Sequence, residues 1–83
     1  MTAIDQNLVG NVQRALAAAL NVDAGEINAE TQFGDLPQWD SMGHMEVLVV
    51  LEKEFGVEVT ADTITNLVSV PAICQYIEAK NHV

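Results

Sequence analysis

Basic residues are the scarcest charged class in this 83-residue chain: Arg14, Lys53 and Lys80 stand against twelve acids, for a net charge of −9. A field of that sign repels nucleic acid and anionic membrane and favours partners with basic docking faces. Cysteine is almost absent. Cys74 alone excludes an internal disulfide framework, and a lone cysteine inside an apolar helical pattern reads as a small buried hydrophobe. No histidine lies near it in sequence, since His82 sits on the C-terminal tail, so a catalytic thiol is not expected. His44 and His82 lack the further soft ligands that a metal site needs. There is no internal repeat, no low-complexity tract and no apolar run of the roughly 20 residues that span a bilayer. The start, Met1-Thr2-Ala3-Ile4-Asp5, has neither the basic residues nor the apolar stretch of a secretion signal. The lack of a membrane span and of a signal predicts a cytoplasmic protein, and a length of 83 residues predicts one domain over residues 1–83 without large catalytic clefts; a monomer is expected.

Hydrophobic residues, at 49%, are sufficient for a core. Over residues 2–20, Ile4, Leu8, Val12, Leu16 and Leu20 recur every four positions and Ala15 and Ala19 widen the stripe. Thr2 and Asp5 resemble an N-terminal capping box. Residues 21–40 lose the period and are punctuated by Asn21, Asp23, Gly25, Asn28, Gly34, Asp35 and Pro37. A loop of that length must be pinned to the core by its own side chains, and Ile27, Phe33, Leu36 and Trp39 are the expected anchors.

Residues 41–55 contain the run Val47-Leu48-Val49-Val50-Leu51, which alone could be a buried strand. Glu46, Glu52, Lys53 and Glu54 around it, and Gly56 as a stop, predict a helix instead. Wound so, Val47, Leu48, Leu51 and Phe55 face the core, with His44 beside them in a partly buried structural role. Met42, Met45 and Val49 form a second apolar stripe bordered by Glu46 and Glu52. A small domain has little use for two apolar faces on one helix unless one of them meets a partner. Residues 56–61 are a connection and 62–67 a short helical turn. Ser69 then caps a last helix with Pro71 in its first turn and Val70, Ile73, Tyr76 and Ile77 inward, with Lys80 near its end. The expected fold is all-α, with three principal helices, one short helix and a long first loop.

Asp40 and Ser41 meet where the loop enters the two-striped helix. Both are good N-caps, and a helix needs one. If Asp40 caps, the Ser41 hydroxyl is released at a helix N-terminus, where a covalently attached anion is stabilised by roughly 0.3–1 kcal/mol.

The surrounding string, Phe33-Gly34-Asp35-Leu36-Pro37-Gln38-Trp39-Asp40-Ser41-Met42-Gly43-His44-Met45-Glu46-Val47-Leu48, resembles the attachment region of the acyl carrier protein family. Leu51-Glu52-Lys53-Glu54-Phe55-Gly56-Val57-Glu58-Val59 is similar to the family's acidic helix end, and the resemblance extends over nearly the whole chain. It implies a small acyl-carrier-type four-helix bundle with no catalysis of its own. It further implies a free-standing carrier in which Ser41, next to Asp40, receives 4′-phosphopantetheine from coenzyme A through a phosphopantetheinyl transferase and magnesium. Partners would then include an acyl or aminoacyl loading enzyme and a downstream synthase or transferase. The resemblance places Met42, Met45, Glu46, Val49 and Glu52 on the partner face, with Lys53 interrupting the acidic run.

Departures from the fatty-acid carrier pattern are local. Trp39-Asp40 replaces a small-residue string before the serine, and Met42-Gly43-His44 follows it. Gly43, which costs roughly 0.5–1 kcal/mol against alanine inside a helix, allows close approach of the arm or a partner, or is merely tolerated. A glycine after Asp-Ser-Met resembles D-alanyl and other specialised carriers. A dedicated pathway making a polyketide, a peptide or a modified cell-envelope component is therefore expected over housekeeping fatty acid biosynthesis. The alternative is an acidic, calcium-sensor-like interaction module. Counting from Asp23, its third position is Gly25 and its sixth is Asn28, where an oxygen-ligand loop needs a carboxylate and a glycine. A small enzyme would need more than Ser41 and His44.

Overall fold

The computed structural model describes residues 6–81, so the Thr2 capping box, Ile4 and His82 lie outside the described residues. Four α-helices follow in order: α1 (Gln6–Leu20), α2 (Ser41–Phe55), α3 (Ala61–Asn66) and α4 (Val70–Asn81). The chain is an all-α bundle in which α1 packs against both α2 and α4, and α3 packs against α2. A 3-10 turn, Ala24–Glu26, interrupts the loop that was expected to be irregular throughout.

The core is the meeting of the apolar stripes. Val9, Val12, Leu16 and Leu20 come from α1, Val47, Leu48 and Leu51 from α2, and Val70, Ile73, Cys74 and Ile77 from α4. Each such side chain taken from water contributes about 1.5–3 kcal/mol. Leu8, Phe55 and Tyr76 pack partly buried at its edge. Gly56 ends α2 as the sequence predicts: at φ 71° it takes the left-handed conformation, and its N–H bonds the Glu52 and Leu51 carbonyls.

Six residues are too few for a self-supporting helix, and α3 is held by its ends. Thr60 and Thr63 form a reciprocal capping box, and the Thr63 hydroxyl donates to the Glu58 carbonyl at 2.8 Å. The helix therefore begins at Ala61, one residue before the sequence pattern suggests. Ser69 caps α4 as expected, its hydroxyl accepting from the Ala72 N–H at 3.1 Å.

Of the four expected loop anchors, Ile27 and Trp39 are fully buried and Leu36 is half-buried. Phe33 is not an anchor: it is 43% exposed. Its backbone is committed elsewhere, because the Phe33 N–H bonds the Val68 carbonyl at 2.8 Å and the Val70 N–H bonds Thr31 at 2.9 Å. This short antiparallel bridge, centred on Gln32 and Ser69, holds the loop against the α3–α4 connection. The Phe33 ring is left edge-on to Trp39 and His44, with centroids 6.5 and 5.6 Å apart.

Cys74 is fully buried, as expected. Burial, with Glu78 adding to it, pushes its thiol from 9.0 up to about 11. The thiolate fraction near neutral pH falls about a hundredfold, and only the thiolate is nucleophilic. Native apo protein should resist maleimide and react promptly once unfolded in urea; comparable rates in both states would contradict this packing.

Candidate functional site

The site is built from the end of the loop and the first turn of α2. Asp40 has extended backbone (φ −107°, ψ −165°), and its Oδ1 accepts from the Gly43 N–H at 2.9 Å. Its carbonyl accepts from the His44 N–H at 2.7 Å. Asp40 is thus the cap, and Ser41 is exposed at the first helical position with its hydroxyl not required for capping. The first N–H groups of a helix have no partner within it. The Asp40 side chain takes that of Gly43, and the His44 N–H makes the first regular helical bond to the Asp40 carbonyl, which leaves the Ser41 and Met42 N–H groups for an anion or water.

Ser41 is set in place from behind. Gly43 lies against the protein's own loop: a Cβ there would stand 2.1 Å from the Gln38 carbonyl oxygen and 2.9 Å from Leu20 Cδ2. The close approach that Gly43 permits is therefore made by Gln38 and Leu20, neither an arm nor a partner being needed to explain it. Trp39 carries the loop into the core, and its neighbouring bonds, Trp39 N–H to Leu36 at 3.0 Å and Gly34 N–H to Trp39 at 3.3 Å, close a tight turn.

His44 is buried more completely than its position beside the core face suggested, at 5% exposure. Its Nδ1 accepts from Trp39 Nε1–H at 3.0 Å, and its Nε2 stands 2.8 Å from the Ile64 carbonyl oxygen. The two neighbours demand the neutral Nε2–H tautomer, because an indole only donates and a carbonyl only accepts.

Beside Ser41 a cleft of about 390 Å³ opens between α2, α3 and the loop, lined by Phe33, Ser41, His44, Met45, Ile64, Thr65 and Val68. Sequence reading singled out Phe33, Ser41, His44 and Met45 but had no local signal for Ile64, Thr65 and Val68. Their presence depends on α3 folding back across α2.

The outer stripe of α2 is as the pattern predicts. Met42, Met45 and Val49 are exposed at 81%, 45% and 42%, and Glu46 and Glu52 are exposed alongside them. Met45 joins the stripe to the cleft. Lys53 is also exposed on α2.

An exposed serine at a helix N-terminus, relieved of capping and next to a mostly apolar cleft, fits a phosphodiester-linked arm. Comparison with known proteins agrees. Residues 11–77 match the family model described as "Phosphopantetheine attachment site". An acyl carrier protein of Helicobacter pylori is 34% identical over 71 residues, covering 86% of this chain and 91% of its own. That of Exiguobacterium sp. is 33% identical over 75 residues, covering 90% and 95%. That of Solidesulfovibrio magneticus is 32% identical over 69 residues, covering 83% and 88%. These matches favour a carrier over a calcium-sensor-like module. Such proteins are carriers and not catalysts, and they work with phosphopantetheinyl transferases and with synthases or transferases. With nearly the whole fold matched, the chain belongs to the acyl carrier protein family and bears covalent 4′-phosphopantetheine.

Proposed function

We propose that this carrier, a single domain over residues 1–83, receives its arm at Ser41 and serves a dedicated biosynthetic pathway, presenting acyl or aminoacyl groups to enzymes of that pathway in the cytoplasm. The observation that carries the attachment point is the division of labour at the start of α2. Asp40 supplies the cap, and the neighbouring Ser41 hydroxyl is exposed at the positive end of the helix. When bound, the group supplies a terminal thiol that holds cargo as a thioester at the end of a flexible arm.

The chain's own residues do the rest. The helix end offsets the charge of a phosphodiester on Ser41, and Phe33, Met45, Ile64 and Val68 offer apolar surface beside it. Tethering replaces a bimolecular encounter with delivery at high effective concentration once a partner is docked. The departures from the fatty-acid pattern support a specialised carrier: behind the attachment end Trp39 is bonded to His44, and Gly43 lies against Gln38 and Leu20.

Docking is assigned to Met42, Met45, Glu46, Val49 and Glu52. The exposed methionines are flexible enough to fit differently shaped pockets, and the acids steer a basic patch onto α2. Among the described residues no helix is long and apolar enough to cross a membrane. A monomer suffices for this mode of action.

The test is conversion by a broad-specificity phosphopantetheinyl transferase with coenzyme A and magnesium, followed by intact mass. Wild type should gain one phosphopantetheinyl group. Glu46→Lys and Glu52→Lys should keep the fold and lower kcat/KM roughly three- to tenfold, with a shallower salt dependence, as expected for reversal of one steering charge. Rates equal to wild type at low salt would move the docking face elsewhere.

A further inference from the structure

The attachment end contains a buried polar assembly that attachment itself does not require. The His44 side chain, 5% exposed, is tolerated in the interior because both ring nitrogens are satisfied, by Trp39 at 3.0 Å and by Ile64 at 2.8 Å. These bonds join three separate pieces of chain: the end of the first loop, the first turn of α2, and α3. The six residues of α3 cannot hold themselves in position, so such ties set where α3 lies against α2.

The position of the bond matters. His44 and Ile64 both line the cleft beside Ser41, and their bond spans the gap between α2 and α3 there. Leu48 and Leu51 follow one and two turns after His44 on the same side of α2, and Leu67 follows Ile64; none of the three is more than 2% exposed. A linear chain passing from Ser41 between α2 and α3 toward these leucines must part that bond. Parting it leaves the N–H of a buried imidazole and a partly buried carbonyl unpaired.

We infer that His44 determines where cargo rests: its Nε2–H bond to Ile64 bars the α2–α3 gap, and an acyl chain on the arm lies in the outer cleft instead of among Leu48, Leu51 and Leu67. The inference rests on the carrier reading with Ser41 as attachment point. The cleft, about 390 Å³, is lined by Phe33, Met45, Ile64 and Val68, with the Thr65 hydroxyl as a polar neighbour. That volume is at the low end of the range of about 300–1,000 Å³ for small-molecule sites. Short or polar acyl groups fit such a cleft. A long chain would remain partly in water. His44 is here a positioning and specificity residue, with no part in chemistry.

The experiment loads apo protein from acetyl- or octanoyl-coenzyme A with a broad-specificity transferase, confirms one acyl-phosphopantetheinyl group by intact mass, and compares amide NMR spectra. In wild type, octanoyl-specific shifts should be confined to Phe33, Met45, Ile64, Thr65 and Val68. In His44→Asn, which keeps an acceptor for Trp39 but is too short to reach Ile64, octanoyl should shift Leu48, Leu51 and Leu67 as well. His44→Gln, which returns an amide N–H near the Nε2 position, should restore the wild-type pattern. Octanoyl shifts at the three leucines in wild type, or identical patterns in His44→Asn and wild type, would overturn the inference. Should His44→Asn fail to fold, wild type and His44→Gln still decide it, since leucine shifts in either one refute the bar. Absence of any mass addition to folded wild type would overturn the carrier reading and the inference with it, and mass alone distinguishes that failure.

Discussion

Gly43→Ala is expected to destabilise the protein by about 1–3 kcal/mol, the usual penalty for overfilling a packed interior. Local propensity points the other way, because alanine is favoured over glycine inside a helix by about 0.8–1.0 kcal/mol. Packing decides the sign. The added methyl would lie 2.1 Å from the Gln38 carbonyl oxygen, far inside contact distance. Leu20, at 2.9 Å, can swing a methyl group aside, but the Gln38 carbonyl is backbone. It cannot retreat freely, because the next residue, Trp39, is fully buried and its N–H and carbonyl are both bonded within the turn. Relief must come from lifting Trp39 or displacing the start of α2, and the latter disturbs the Asp40 cap. For a domain with about 5–15 kcal/mol of stability this is a large loss, worth roughly 4–8 °C in Tm per kcal/mol at this size.

Gly10→Ala is the internal control. It too is a helical glycine, but its nearest neighbour would be Nη1 at the far end of the Arg14 side chain, at an ordinary contact distance of 3.7 Å. That variant should be stabilised by about 0.5–1 kcal/mol. Urea midpoints of the two variants moving in opposite directions would confirm the close approach at Gly43. A stabilised Gly43→Ala would mean that the loop does not lie against α2 as described.

Ser41→Ala is expected to have the largest functional effect with almost no structural one. The hydroxyl is the acceptor of the arm, so its removal should abolish phosphopantetheinylation entirely. The residue is exposed and Asp40 does the capping, so stability should change by no more than about 0.5 kcal/mol. Complete loss of modification in a fully folded variant separates attachment from folding. A variant that lost both would mean that Ser41 supports the helix start, against the geometry of Asp40.

Much of this organisation is legible in the residues. The limits of α2 follow from Asp40 and Gly56, and its two faces from the spacing of Val47, Leu48 and Leu51 against Met42, Met45 and Val49. These are local signals, carried within one or two turns. What sequence could not show depends on contacts between distant residues. Gly43 reads as a propensity cost until Gln38 and Leu20 are seen against it. His44 reads as half-buried because its second partner, Ile64, is twenty residues away. Phe33 was expected inside on hydrophobicity alone. The bridge of Thr31 and Phe33 to Val68 and Val70 fixes its backbone and leaves the ring at the cleft edge. The walls of the cleft from α3 could be placed only by the fold.

Whether Ser41 bears the arm is decided by intact mass on wild type and Ser41→Ala treated side by side with coenzyme A, magnesium and a phosphopantetheinyl transferase. Wild type should gain a single phosphopantetheinyl group, recovered on the peptide containing Asp40 and Ser41, and folded Ser41→Ala should gain none. Addition that persists in Ser41→Ala, or wild type left unmodified by its own transferase, would contradict attachment at Ser41.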